Sequence, residues 1–161
     1  MRIKTAARIL GATLVVGALD ITEVIVFYGV RNGTAPTRIF QSVATGVLGK
    51  RAFEGGLSSA MLGLSLHFLI ALCVVSVYFL ASTRIAALRE HPLLFGAAYG
   101  LAVYLVMNFA VLPLSAAGPP RLSVLAVVLN GLFAHVFCVG IPTALLTTWR
   151  GNRAAARAEA H

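Results

Sequence analysis

Along the chain, apolar positions gather into four long runs separated by short, basic stretches. The runs cover residues 7–30, 57–81, 93–114 and 122–148. The hydrocarbon core of a bilayer takes about 20 consecutive apolar residues in helical form, since lipid leaves every backbone N–H and C=O to be satisfied within the segment. Each run meets that length, so the pattern predicts four transmembrane helices. Few polar residues interrupt them: Asp20 and Glu23 in the first run, His67 and some serines in the second, Asn108 in the third, and Asn130, His135 and Pro142 in the fourth. Arg2, Lys4 and Arg8 ahead of apolar residues, with Val16-Gly17-Ala18 further on, have the outline of a secretory signal. Because the apolar run continues to Val30, it reads instead as an uncleaved helix.

The first connection, residues 31–56, is long for a small bundle. Thr34-Ala35-Pro36 has the form of a helix start, with proline where its missing N–H does no harm. Ile39, Phe40, Val43, Ala44, Val47 and Leu48 then recur at helical spacing, opposite Arg38, Gln41, Ser42 and Thr45. This predicts an amphipathic helix over residues 37–49, at the outer membrane surface or dipping into the bundle, with Arg38, Phe40 and Gln41 at its interface. Gly55-Gly56 turns the chain into the second span, and His91-Pro92 marks the start of the third.

Composition narrows the class further. Of 161 residues, 59% are apolar and 11% charged, whereas about a quarter of an ordinary soluble domain is charged. Disordered, collagen-like and disulfide-framework classes are excluded. Thirteen Lys and Arg against five acids give a net charge of +8. These bases flank the apolar runs, as residues meeting anionic headgroups do, and no nucleic-acid motif accompanies them. With four spans, Arg2, Lys4, Arg8, Arg84, Arg89, Arg150, Arg153 and Arg157 fall on the side of the termini, against Arg31, Arg38, Lys50, Arg51 and Arg121 on the other. Eight against five favours cytoplasmic termini. Tyr28, Tyr78 and Trp149 read as interfacial anchors near span ends, Cys73 and Cys138 as small apolar fillers, and residues 149–161 as a basic cytoplasmic tail. The expected fold is therefore all-α: one domain, residues 1–161, a four-helix transmembrane bundle with an interfacial helix between spans 1 and 2. No internal repeat points to an inverted-repeat transporter.

The strings QSVATGVLGKRAFEGG (Gln41 to Gly56), LGLSLHFLIAL (Leu62 to Leu72), YGLAVYLVMNFAVLPLSA (Tyr99 to Ala116) and NGLFAHVFCVGIPTAL (Asn130 to Leu145) resemble a group of small bacterial four-span inner-membrane proteins of unknown function. The similarity runs from about Asp20 to Leu146. It implies a bacterial inner membrane and four helices, and transfers no activity.

Candidate chemistry lies in the intramembrane polar residues, since an ionisable group at that depth costs from ~3 kcal/mol upward. At about 1.5 Å per residue, Asp20, Glu23, His67, Asn108 and His135 all fall in the outer half of the bundle or near its midplane. Small-residue stripes accompany them: Ala60, Gly63, His67 and Ala71; Gly96, Gly100, Tyr104 and Asn108; Gly131, His135, Cys138 and Pro142. Small residues let helices approach closely, so the five polar residues are expected to form one buried cluster, with Asp20–His67 and Asn108–His135 hydrogen bonds. The leading reading is a non-enzymatic membrane component, an accessory subunit or scaffold, acting in a homo-oligomer or larger complex and lacking a cofactor. A proton- or metal-ion-linked small transporter is the first alternative, with His67 and His135 as ligands of a divalent metal. A bis-histidine haem b electron carrier on the same two residues is the second. No serine elbow or HExxH pair supports an enzyme.

Overall fold

The computed structural model describes residues 2–119 and 124–148, with side chains from residue 5 onward. All its regular elements are helical, and among the described residues there is no strand. The predicted start of the fourth run at Leu122, the basic tail and its anchor Trp149 lie outside the described residues.

Four helices are long and apolar enough to cross a membrane: α1 (Thr5–Asn32 within Arg2–Asn32), α3 (Gly56–Arg84), α5 (Pro92–Leu114) and α6 (Leu125–Thr148). Between α1 and α3 stand α2 (Pro36–Leu48) and a 3-10 turn, Gly49–Phe53; between α3 and α5 is the single turn α4 (Ala87–Glu90). The punctuation follows local chemistry. Pro36 and Pro92 sit in the first turns of α2 and α5, where no intrahelical partner exists for their missing N–H. Gly56 enters α3 with φ +56°, a left-handed conformation open to glycine at little steric cost.

Facing residues reveal the topology. Gly17 lies against Phe68 and Ala71, Tyr99 bonds Val74, Gly96 meets Ile141 and Ala144, and Gly100 meets Val136. Arg8 Nε donates to Leu146 O across 3.2 Å, and Asn130 meets Glu23. Residue numbers run in opposite directions between α1 and α6, between α5 and α6, and, with Asp20 beside His67, between α1 and α3, so α3 is antiparallel to α5 as well. The start of α1 and the end of α6 consequently share one end of the bundle.

The core is made of small groups. Ala12, Val16, Val75 and Val139 cluster at the bundle axis. Only 17–28% of the most apolar stretch of each long helix is buried; Leu14, Leu19, Leu69, Leu80, Leu101, Phe133 and Phe137 face outward. The outer surface is therefore greasier than the interior.

Three features differ from the sequence pattern. On α2 the buried face is Ile39, Gln41 and Ala44, while Val47 and Leu48 are exposed. Gln41, expected on the polar side, is turned inward because its amide donates to Gly56 O at 2.9 Å and closes the connection into α3. Arg38 keeps to the exposed side, its guanidinium 4.0 Å over the Phe53 ring, and Phe40 is half-buried where its backbone passes Gly63. Tyr78 is not an interfacial anchor: it is 1% exposed, stacks edge-to-face on Tyr99 and donates to Leu88 O. Cys73 is exposed on the outside of α3, and so fills no interior gap.

Candidate functional site

The site is built on one face of α1. Thr13, Val16, Gly17, Asp20 and Val24 follow one another at three- and four-residue steps, the spacing that keeps side chains on a single stripe. The stripe faces α3 and α6. Gly17 leaves room there for the Phe68 ring, which would have to shift for a Cβ standing 2.6 Å from it. Its carbonyl accepts a hydrogen bond of 2.8 Å from His67 Nε2. A carbonyl oxygen only accepts, so Nε2 carries the proton, and the lone pair of the neutral ring lies on Nδ1. Nδ1 is 4.0 Å from Asp20 Oδ2, an ion-pair separation, so the expected Asp20–His67 hydrogen bond is not formed.

The remaining Asp20 oxygen, Oδ1, is buried and has no hydrogen-bond partner. The carboxylate also interacts electrostatically with His135 of α6, so it lies between the two histidines. His135 directs Nδ1 at Gly131 O, 2.9 Å away on its own helix, and no hydrogen bond is formed by its Nε2 among the described residues. Asn108 behaves similarly, its amide donating to Tyr104 O at 2.9 Å. The expected Asn108–His135 hydrogen bond is therefore not formed. Each side chain is occupied by the carbonyl four residues earlier.

The reason is local. Met107–Val111 and Ala134–Gly140 are π-helical turns, each ending two residues before a proline, Pro113 or Pro142. A prolyl ring removes a donor and crowds the carbonyl four residues back; widening the preceding turn relieves the clash. The carbonyls of Tyr104 and Gly131 lie at the entrances to these turns, and the two polar side chains bond to them.

The sequence-predicted residues thus meet in parts. Asp20, His67 and His135 line one cavity of about 200 Å³, walled by Val16, Ile39, Val74, Val103 and other apolar side chains from all five helices α1, α2, α3, α5 and α6. Asp20 and His135 also line a second cavity of about 340 Å³, together with Asn108, Tyr104 and Asn130. Glu23 borders neither; its Oε2 accepts a 3.3 Å hydrogen bond from Asn130 Nδ2. Asn130, five residues before His135 and beside Gly131, is the member that the polar pattern marked in its run and left out of the cluster. Ser42 of α2 also borders the first cavity, its hydroxyl donating to Ile39 O at 2.7 Å.

Among the described residues no three His, Cys, Asp or Glu side chains are positioned to hold a metal ion. His67 Nε2 is engaged by Gly17 O, and Nδ1 lies beside Asp20. No protein-family model, curated protein or solved structure matches the chain.

Proposed function

We propose that this chain is a non-enzymatic integral membrane component of the bacterial inner membrane, a scaffold or accessory subunit with four spans, cytoplasmic ends and α2 at the outer surface. The observation that carries the reading is the division of polarity. The two acids of α1 turn inward, Asp20 towards His67 and Glu23 towards Asn130, while outward positions such as Leu14, Leu69 and Phe137 are apolar. Water penalises such a surface, and hydrocarbon does not. The Arg8–Leu146 contact, which joins the beginning of the bundle to its end, and the excess of bases on that side support cytoplasmic termini. In this reading the polar groups hold helices together, each interhelical hydrogen bond contributing about 0.6 kcal/mol and at most about 1.7.

The test has two arms. The protein should stay in the membrane fraction after alkaline carbonate washing; release would refute the membrane placement. In detergent, His67→Ala should be less stable by about 1–2 kcal/mol, since it loses the bond to Gly17 and the contact with Asp20. Wild-type stability in that variant would refute the structural role of the cluster.

A further inference from the structure

The polar atoms around the smaller cavity share one property. His67 gives its Nε2 hydrogen to Gly17 O, His135 gives its Nδ1 hydrogen to Gly131 O, and Ser42 gives its hydroxyl hydrogen to Ile39 O. Each donor is therefore spent on a backbone carbonyl. Besides these donors the lining residues carry acceptors: the Ser42 oxygen, the second ring nitrogen of each imidazole, and the Asp20 carboxylate, which forms no hydrogen bond among the described residues and whose Oδ1 is buried. Acceptors alone repel one another, and a buried acceptor without a donor costs about 1–3 kcal/mol. The missing partner is a donor, and beside a carboxylate the best donor is a cation.

The walls select its body. They are Val16, Ile39, Val43, Ile70, Val74 and Val103, with no second acid to compensate a hydrated ion. A cavity of about 200 Å³ exceeds the roughly 150 Å³ that suffices for benzene. The geometry points to a binding site for a compact organic ammonium, one ring or a short branched chain with a primary or secondary ammonium head, seated on Asp20 between His67 and His135. This deepens the membrane reading above, because such a ligand reaches the cavity through or along the bilayer.

Protons compete for the same place. A proton on Asp20 supplies the missing donor and removes the charge that holds the ammonium. The other groups around Asp20 are Glu23 on α1, His67 on α3, His135 and Cys138 on α6 and Tyr104 on α5, whereas α2 contributes only neutral Ser42. Protonating either histidine adds positive charge near the site, so acidification weakens binding in every case.

The experiment is calorimetric titration of the full chain in detergent with 2-phenylethylammonium, which like a lysine side chain stays charged between pH 5 and 8. Binding is expected at pH 8, falling by up to tenfold per pH unit as protons displace the ligand. Neutral 2-phenylethanol and anionic 3-phenylpropionate should bind at least tenfold more weakly. Asp20→Asn should abolish binding; Val103→Phe, which keeps the carboxylate and fills the cavity, should abolish it too. Absence of amine binding at pH 8, equal affinity at pH 5 and pH 8, unchanged binding in Asp20→Asn, or saturable Zn²⁺ binding in place of the amine would each overturn the site. Since carbonate washing reads membrane placement separately, failure of amine binding in a chain that resists the wash removes this site and leaves the membrane reading standing.

Discussion

Replacing Gly100 by alanine tests the packing on which the site depends. Gly100 of α5 faces the backbone of α6: an added Cβ would collide with the His135 carbonyl and stand 2.8 Å from Val136 Cα. Ordinary contact needs at least 3.4 Å, and both obstacles are backbone, so α6 must move by several tenths of an ångström or more. Overpacking of this kind costs typically about 1–3 kcal/mol. The higher end applies here, because Gly140 on the facing helix is pressed equally hard against Gly96 and Gly100. Alanine returns about 1 kcal/mol through its better helix propensity. The net expectation is a loss of about 2 kcal/mol. Gly11→Ala is the control, since nothing lies within 4 Å of a Cβ there; it should be neutral or stabilised by up to about 1 kcal/mol. Reversible unfolding in mixed micelles with increasing SDS, followed by circular dichroism, should separate the two variants by about 2–3 kcal/mol. Because the collision falls on His135, Gly100→Ala should also weaken amine binding. Equal stability of Gly100→Ala and Gly11→Ala would show that α5 and α6 do not pack backbone to backbone, and would remove the basis for placing His135 beside Asp20.

Other expectations follow from single contacts. Tyr99→Phe removes the 2.7 Å bond to Val74 O and should lower unfolding free energy by about 0.6–1.7 kcal/mol without altering amine affinity; an unchanged melting curve would exclude that bond. A double-mutant cycle with Glu23→Ala and Asn130→Ala should return a coupling of about 0.6 kcal/mol, in view of the long 3.3 Å separation, and a coupling of zero would mean the two helices are not joined there. Cys73, exposed midway along α3, should resist a water-soluble maleimide in intact membranes and react after SDS solubilisation, because a polar reagent does not enter the hydrocarbon that this face meets. Rapid labelling in membranes would place that face of α3 in water.

Sequence periodicity was sufficient for the four long helices because a span is set by length and hydropathy, both of which are local. Helix starts at Pro36 and Pro92 and the turn at Gly56 were legible for the same reason: each reflects a backbone property of one residue. The stripe on α3 was also readable, since Ala60, Gly63 and Ala71 are indeed buried. Legibility ended where a side chain had two partners to choose from. Gln41 reads as polar and surface-directed until Gly56 O is brought beside it. Tyr78 reads as an anchor until Tyr99 and Leu88 O claim its ring and hydroxyl. Glu23 and Asn130 are 107 positions apart, and only the antiparallel crossing of α1 and α6 makes them neighbours.

Asn108 and His135 show a subtler limit. A regular helix would carry both along their stripes towards each other, which is the basis for expecting a hydrogen bond between them. The π turns change this in two ways. Widening a turn alters the angular position of every residue beyond it, so the buried face of α6 passes through Ala134, Val139, Gly140 and Thr143 and leaves the Gly131–Cys138 line half-buried. The carbonyls of Tyr104 and Gly131, at the entrances to these turns, also accept from the Asn108 and His135 side chains. Pro113 and Pro142 thus act on the site from a distance of five to seven residues: they favour wider turns, the turns present carbonyls, and the carbonyls hold the hydrogens of Asn108 and His135. Because His135 directs Nδ1 at a carbonyl of its own helix, Nε2 is the ring atom left to meet another helix, and the way His135 faces the cavity follows from where the prolines stand.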